Sequence, residues 1–146
     1  MSVGRICQRD VDVIGPDDTV LVAAERMRQR TVGCLVVVDA GQVPVGIVTD
    51  RDLVLRVIAE DRDAGTTTVA QVMTKFPDVA HEDMGIETAL GLMRRRSFRR
   101  LPVIDKAGRI FGLVTLDDIL MLLAEEFTHI GDILGKETPQ AAAVAG

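Results

Sequence analysis

VGIVTDRDL occupies residues 45–53 and FGLVTLDDI occupies residues 111–119. Gly46, Val48, Thr49 and Asp52 return as Gly112, Val114, Thr115 and Asp118, each 66 positions further on. A single such stretch reads as a strand running into a helix, with threonine and a carboxylate at the spacing of a capping box. In that device the threonine hydroxyl accepts a hydrogen bond from the amide of the third helical residue. The carboxylate accepts one from the threonine amide in return. A lone copy needs no further explanation, because a cap contributes about 1 kcal/mol and several residue types supply it.

The echo extends well beyond nine residues. At the same offset, 6–58 aligns with 72–124 without a gap. Identities include Asp12/Asp78, Ala23/Ala89, Met27/Met93, Arg30/Arg96, Leu35/Leu101, Val37/Val103 and Asp39/Asp105. The chain is a tandem duplication, and internal repetition decides the architecture before any single element does.

Both copies give the same reading. A short strand, VDVI (11–14) or DVA (78–80), precedes a helix. Asp17, Asp18 and Thr19 are N-cap candidates for the first helix, which runs to about Arg30; the second runs from Asp83 to Arg96. Two strands follow, 35–39 and 45–49, then 101–105 and 110–115, with Gly41 and Gly108 in the turns. Their nearly unbroken apolar character predicts cover on both faces. A second helix closes each copy, 52–60 and 117–127. The expected organisation is a first repeat over 6–60, a polar linker over 61–69, a second repeat over 70–127, and a helix end with a flexible tail over 128–146. About 60 residues cannot bury a comfortable core alone, so the two βαββα copies should pack together about a pseudo-twofold axis.

Composition limits the function. The 146 residues carry a net charge of −5, which argues against a broad nucleic-acid footprint. Four phenylalanines with no Trp or Tyr leave little for stacking bases. Residues 1–10 lack a secretory pattern and no apolar run approaches the length of a membrane span, so a cytoplasmic location is expected. Cys7 and Cys34 have no paired spacing and read as reduced, structural thiols.

Several features raise the threonine–aspartate pairs above simple caps. Gly46 and Gly112 sit inside strands, where glycine is costly unless something approaches the backbone closely. The pairs stand where strands end and helices begin, a common ligand crevice in α/β proteins. A carboxylate beside a threonine hydroxyl suits the vicinal diol of a ribose: Thr49 with Asp52, and Thr115 with Asp118. A phosphate would need cations elsewhere. Arg99 and Arg100, at the start of a strand, carry the planar fork that phosphate oxygens fit. Arg94, Arg95 and Arg96 read instead as a solvated helix end favoured by the helix dipole. The first copy has Gly33-Cys34 where the second has Arg99-Arg100, so the two sites are chemically unequal.

A doubled unit ending in G-h-h-T-x-x-D-h, with an h-R-x-P-V-h-D strand before it, resembles the CBS domain, found as a tandem pair or Bateman module. The resemblance covers residues 6–127. It implies two βαββα units packed sheet to sheet and two clefts that take adenosine-containing ligands: AMP, ADP, ATP, S-adenosylmethionine or NAD-type molecules. It places Thr49, Asp52, Thr115 and Asp118 on ribose, and Arg99 and Arg100 on phosphate. It leaves open which threonine–aspartate pair shares a cleft with the two arginines. Val36 stands where the second copy has Pro102, and the first copy lacks the basic residues, so the phosphate contacts carry over to one copy only. The family also implies a regulatory module that signals to a separate effector or acts within a homodimer.

An enzyme is not expected. His81 and His129 have no matched carboxylate spacing, and no P-loop, GxGxxG, HExxH or GxSxG motif occurs. No metal-ligand spacing stands out and no resident cofactor is implied. His81 reads as a surface residue, with a cleft contact as its alternative. The competing overall reading is a ligand-free interaction protein in which the threonine–aspartate pairs only cap helices.

Overall fold

The computed structural model describes residues 1–75 and 78–137. Helix α1 (Val3–Ile6) is one turn and precedes the two-residue strand β1 (Val13–Ile14). Helix α2 (Val20–Arg30) leads into strands β2 (Cys34–Val38) and β3 (Pro44–Thr49). Helix α3 (Asp50–Leu53) continues as a π-helical turn, Val54–Ile58. The set then repeats as α4 (Val69–Val72), β4 (Thr74–Lys75), β5 (Ala80–His81), α5 (Ile86–Arg96), β6 (Arg100–Ile104), β7 (Ile110–Thr115) and α6 (Leu116–Glu137).

These elements form two small sheets with helices against them, a mixed α+β fold built from two tandem repeats. In each sheet a short strand runs parallel to a hairpin strand: Val13 opposite Val36 in one, Ala80 opposite Val103 in the other. The hairpins share one register, since Val36 faces Ile47 and Pro102 faces Leu113. The central strands β2 and β6 are buried from Leu35 to Val38 and from Leu101 to Ile104, which explains their unbroken apolar sequence.

The repeats exchange their opening segments. Val69 and Val72 of α4 are buried in the first core with Ile14, Val20, Leu35 and Val48. Val3 and Cys7 are buried in the second core with Ala80, Leu101, Val114 and Ile119. Past α4, strand β4 adds to β3, with Lys75 opposite Gly46. Past α1, Gln8 pairs with Leu113 through two backbone hydrogen bonds of 2.9 Å. Each core is therefore closed by a piece of chain that precedes the other repeat. Neither α1 nor α4 is legible as a helix in the sequence, because one turn carries no periodicity.

This crossing accounts for the strand glycines. A Cβ at Gly46 would lie 2.6 Å from Met73 Sδ and 2.9 Å from the Thr74 carbonyl oxygen. One at Gly112 would lie 2.5 Å from Cys7 Sγ and 2.8 Å from the Gln8 carbonyl oxygen. What approaches the backbone at both glycines is the exchanged segment.

Other identities also have structural causes. Arg30 pairs with Asp12 at 2.6 Å, and Arg96 pairs with Asp78 at 2.7 Å, tying each long helix to the segment before its short strand. Asp39 accepts from the amides of Gly41 and Val43, and Asp105 from those of Ala107 and Arg109, closing the two hairpin turns. The left-handed residue of the first turn is Gln42 (φ 63°), in register with Gly108 (φ 81°), and not Gly41.

Thr19 caps α2, accepting from the Val22 amide at 3.3 Å, but α5 begins after Gly85 with no side-chain cap, so Asp83 does not cap it. The last helix also departs from the sequence reading. It continues ten residues past 127, to Glu137, through Gly131 and Gly135, which argue locally for an end. Of the stretch read as a frayed tail, 138–146 lies outside the described residues.

Candidate functional site: two clefts between the repeats

Both capping boxes are formed. Asp52 Oδ2 accepts from the Thr49 amide at 2.9 Å, and Thr49 Oγ1 accepts from the Asp52 amide at 3.2 Å. The same bonds at Thr115 and Asp118 measure 2.8 and 3.1 Å. Each cap leaves chemistry to spare. The threonine oxygen is an acceptor in the cap, so its own proton remains to be donated, and the second carboxylate oxygen stays outside the box. Asp52 Oδ1 lies 3.8 Å from Arg56, and Asp118 Oδ1 accepts from Gln8 Nε2 at 3.4 Å.

The two pairs open onto separate clefts. Thr115 and Asp118 line one of about 300 Å³, whose opposite wall is Val32, Gly33 and Cys34 of the first repeat. The exchanged segment completes that cleft through Gln8, Asp10 and Asp12. Thr49 and Asp52 line another of about 360 Å³, faced by Ser97, Phe98 and Arg100 of the second repeat, with Thr74 from the other exchanged segment. Under the 66-residue offset, Gln8 and Thr74 correspond, as do Val32 and Phe98, and Cys34 and Arg100. The clefts are thus one design used twice, each drawing its threonine–aspartate pair from one repeat and its opposite wall from the other.

This arrangement answers the question that the sequence leaves open. Arg100 stands across from Thr49 and Asp52, and it also reaches the border of the cleft of Thr115 and Asp118. Arg99 turns away from the cleft of Thr49 and Asp52: it lies 3.4 Å from Asp117, beside a recess shared with Thr115 and Arg100. That pair is mostly exposed on both sides, so it holds Arg99 only weakly.

The charges differ between the clefts. Asp10, Asp12, Asp117 and Asp118 line the first, where Arg100 is the only lining cation among the described residues, whereas Arg51 and Arg100 accompany Asp52 in the second. Burial pushes the Cys34 thiol up to about 11, with Arg100 pulling the other way, so it remains a neutral wall group at physiological pH.

The sequence reading did not single out Gln8, Thr74, Arg51, Phe98 or Asp117. For Gln8 and Thr74 a signal existed, since the repeat offset continues upstream to pair Val3 with Val69. His81 lies in β5 and lines neither cleft. Among the described residues no cluster of three or more His, Cys, Asp or Glu side chains could hold a metal ion, and no helix is long and apolar enough to cross a membrane.

With this geometry in hand, the comparisons with known proteins agree on the class. The CBS domain matches twice, at residues 3–59 and 69–125, and the chain belongs to the CBS domain family as a tandem pair. Both matches begin at the exchanged helical turns α1 and α4. The chain is 34% identical over 122 residues to an uncharacterised protein of Methanopyrus kandleri, a match covering 84% of this chain and 62% of that relative. Among solved structures it is similar to the CBS domain pair of protein MJ0100 in complex with 5′-methylthioadenosine and S-adenosyl-L-methionine. That likeness has a TM-score of 0.74 and 25% identity, covering 86% of this chain and 98% of the other. It is also similar to CBSX2 in complex with AMP, with a TM-score of 0.70 and 27% identity, covering 85% of this chain and 96% of the other.

Proposed function

We propose that the chain is a non-enzymatic regulatory module that binds an adenosine-containing ligand between its repeats and passes the change to a separate effector or across a homodimer. The observation that carries this reading is the doubled cleft. In each, a threonine–aspartate pair with a spare hydroxyl proton and a spare carboxylate oxygen faces the strand opening of the other repeat. Thr49 and Asp52, and Thr115 and Asp118, hold the ribose hydroxyls. Phe98 and Val32 offer apolar surface for a base. A ligand that touches both repeats at once is placed to alter how they sit against each other. The complexes recorded for MJ0100 and CBSX2 support the ligand class.

Charge assigns the ligands further. A phosphate-bearing ligand such as AMP suits the cleft of Thr49 and Asp52, where Arg51 and Arg100 meet its phosphate. The carboxylate-rich cleft of Thr115 and Asp118 suits an adenosyl ligand without phosphate, such as S-adenosylmethionine. Arg99 serves phosphate only after leaving Asp117.

Dye-based melting against AMP, ADP, ATP, S-adenosylmethionine and NADH tests the reading, since a ligand at one hundred times its Kd stabilises by about 2.7 kcal/mol. At least one of these ligands raises the melting temperature. If none does, the threonine–aspartate pairs are caps alone and the chain is an interaction protein.

A further inference from the structure

The two capping boxes match bond for bond, but their second carboxylate oxygens are met differently. Asp118 Oδ1 accepts from Gln8 Nε2 at 3.4 Å, so a ligand hydroxyl there shares or displaces that amide. Asp52 Oδ1 lies 3.8 Å from Arg56 Nη2. That is too far for a hydrogen bond, so the pull is ionic and the oxygen's lone pairs stay open to a ligand. Arg56 is half-exposed, where an ion pair by itself is weak. What fixes its guanidinium is the segment that precedes the second repeat: Nη1 donates to the Val72 carbonyl oxygen at 2.7 Å and to Thr74 Oγ1 at 3.4 Å. Val72 ends the one-turn helix α4, and the last carbonyls of a helix lack an intrahelical partner. The arginine side chain is thus ordered before any ligand arrives, and binding need not order it.

The backbone around Arg56 also departs from the repeat. Arg56 is the middle residue of the π-helical turn Val54–Ile58, where the Ala59 amide donates to the Val54 carbonyl five residues back at 2.9 Å. Such single turns frequently mark functional positions. Under the 66-residue offset Arg56 becomes Leu122, which has no side-chain donor, and α6 stays α-helical there. We propose that Arg56 is a positioning residue of the cleft of Thr49 and Asp52. It aims the free Asp52 oxygen at the ribose hydroxyls of an adenosine-containing ligand, and it ties that oxygen to the segment that opens the second repeat. The proposal rests on the ribose reading of this cleft. Because Val72 and Thr74 belong by sequence to the second repeat, a ligand that draws on Asp52 is felt through one guanidinium in the other half of the chain. In the cleft of Thr115 and Asp118 the uncharged Gln8 stands in its place.

Titration calorimetry of the full chain with AMP tests it on wild type, Arg56→Met, Arg56→Lys, Asp52→Asn and the double variant combining Asp52→Asn with Arg56→Met, with melting as the check on folding. Arg56→Met weakens AMP about tenfold, the size of a coupling between residues in contact. Arg56→Lys, which keeps the charge and a donor for the Val72 carbonyl, recovers most of that loss. If the methionine variant does not fold, Arg56→Gln, which keeps a donor and loses the charge, takes its place. The double variant binds AMP no more weakly than Asp52→Asn, because Arg56 acts through the charge of Asp52; a merely structural loss would add to it. Wild-type affinity in Arg56→Met, or a loss that adds in full to that of Asp52→Asn, overturns the role of Arg56 and leaves the ribose reading standing. A wild type that takes up no AMP overturns both.

Discussion

Thr31 and Ser97 show how closely the copies agree at the level of single residues. Each ends its long helix in the left-handed conformation, with φ 55°. For a β-branched residue that geometry is strained, and glycine adopts it freely. Thr31→Gly is expected to raise stability by about 1 kcal/mol in urea unfolding. Cys34 provides a second residue-scale test. Its ordinary thiol value of 9.0 is raised in the folded chain to about 11 by burial. Below pH 9 folded and unfolded chains are both protonated there, so its contribution is complete. As pH rises from 9 through 11 the unfolded chain releases a proton that the folded chain retains, and stability falls. Cys34→Ser should flatten that alkaline decline, as measured by unfolding at a series of pH values. A native Cys34 that reacts with a thiol reagent at pH 8 as fast as the unfolded chain would contradict its neutral, walled-in state.

At the scale of elements, the strand glycines discriminate between two causes. Gly112→Ala should lower stability by about 1–3 kcal/mol, because the added carbon meets the Gln8 backbone oxygen and cannot push it aside. If the glycine instead served the approach of a ligand, stability would hold and only affinity would fall. These glycines also mark the limit of what the sequence tells. Their conspicuous position, the helix-capping pairs and the two hairpins were all legible, since each leaves a local signature repeated at a fixed offset. The segment that crosses at each glycine was not, because one helical turn and a two-residue strand carry too little pattern. The extent of α6 was hidden for a related reason. Gly131 and Gly135 argue locally against a helix, while the apolar spacing that continues through them argues for one.

At the scale of the molecule, duplication turns a common capping box into paired clefts. The sequence was sufficient for the tandem architecture and for naming Thr49, Asp52, Thr115 and Asp118 as site candidates. It could not bring Arg100 to Thr49 and Asp52, since that meeting depends on how one repeat faces the other. In sequence Arg99 and Arg100 stand as equals, whereas the fold pairs Arg99 with Asp117 and sets Arg100 between the clefts. Arg100→Ala is therefore expected to weaken AMP more than tenfold and S-adenosylmethionine little, each measured by titration. The central claim is that the threonine–aspartate pairs grip a ribose as well as cap helices. With no Trp or Tyr to report binding, titration calorimetry with AMP on wild type and Asp52→Ala tests it most directly. The account predicts saturable heat with wild type, an affinity at least tenfold weaker in the variant, and a stability loss in the variant of only about 1 kcal/mol. Equal AMP affinity in the two proteins, with the same small stability loss, would contradict it.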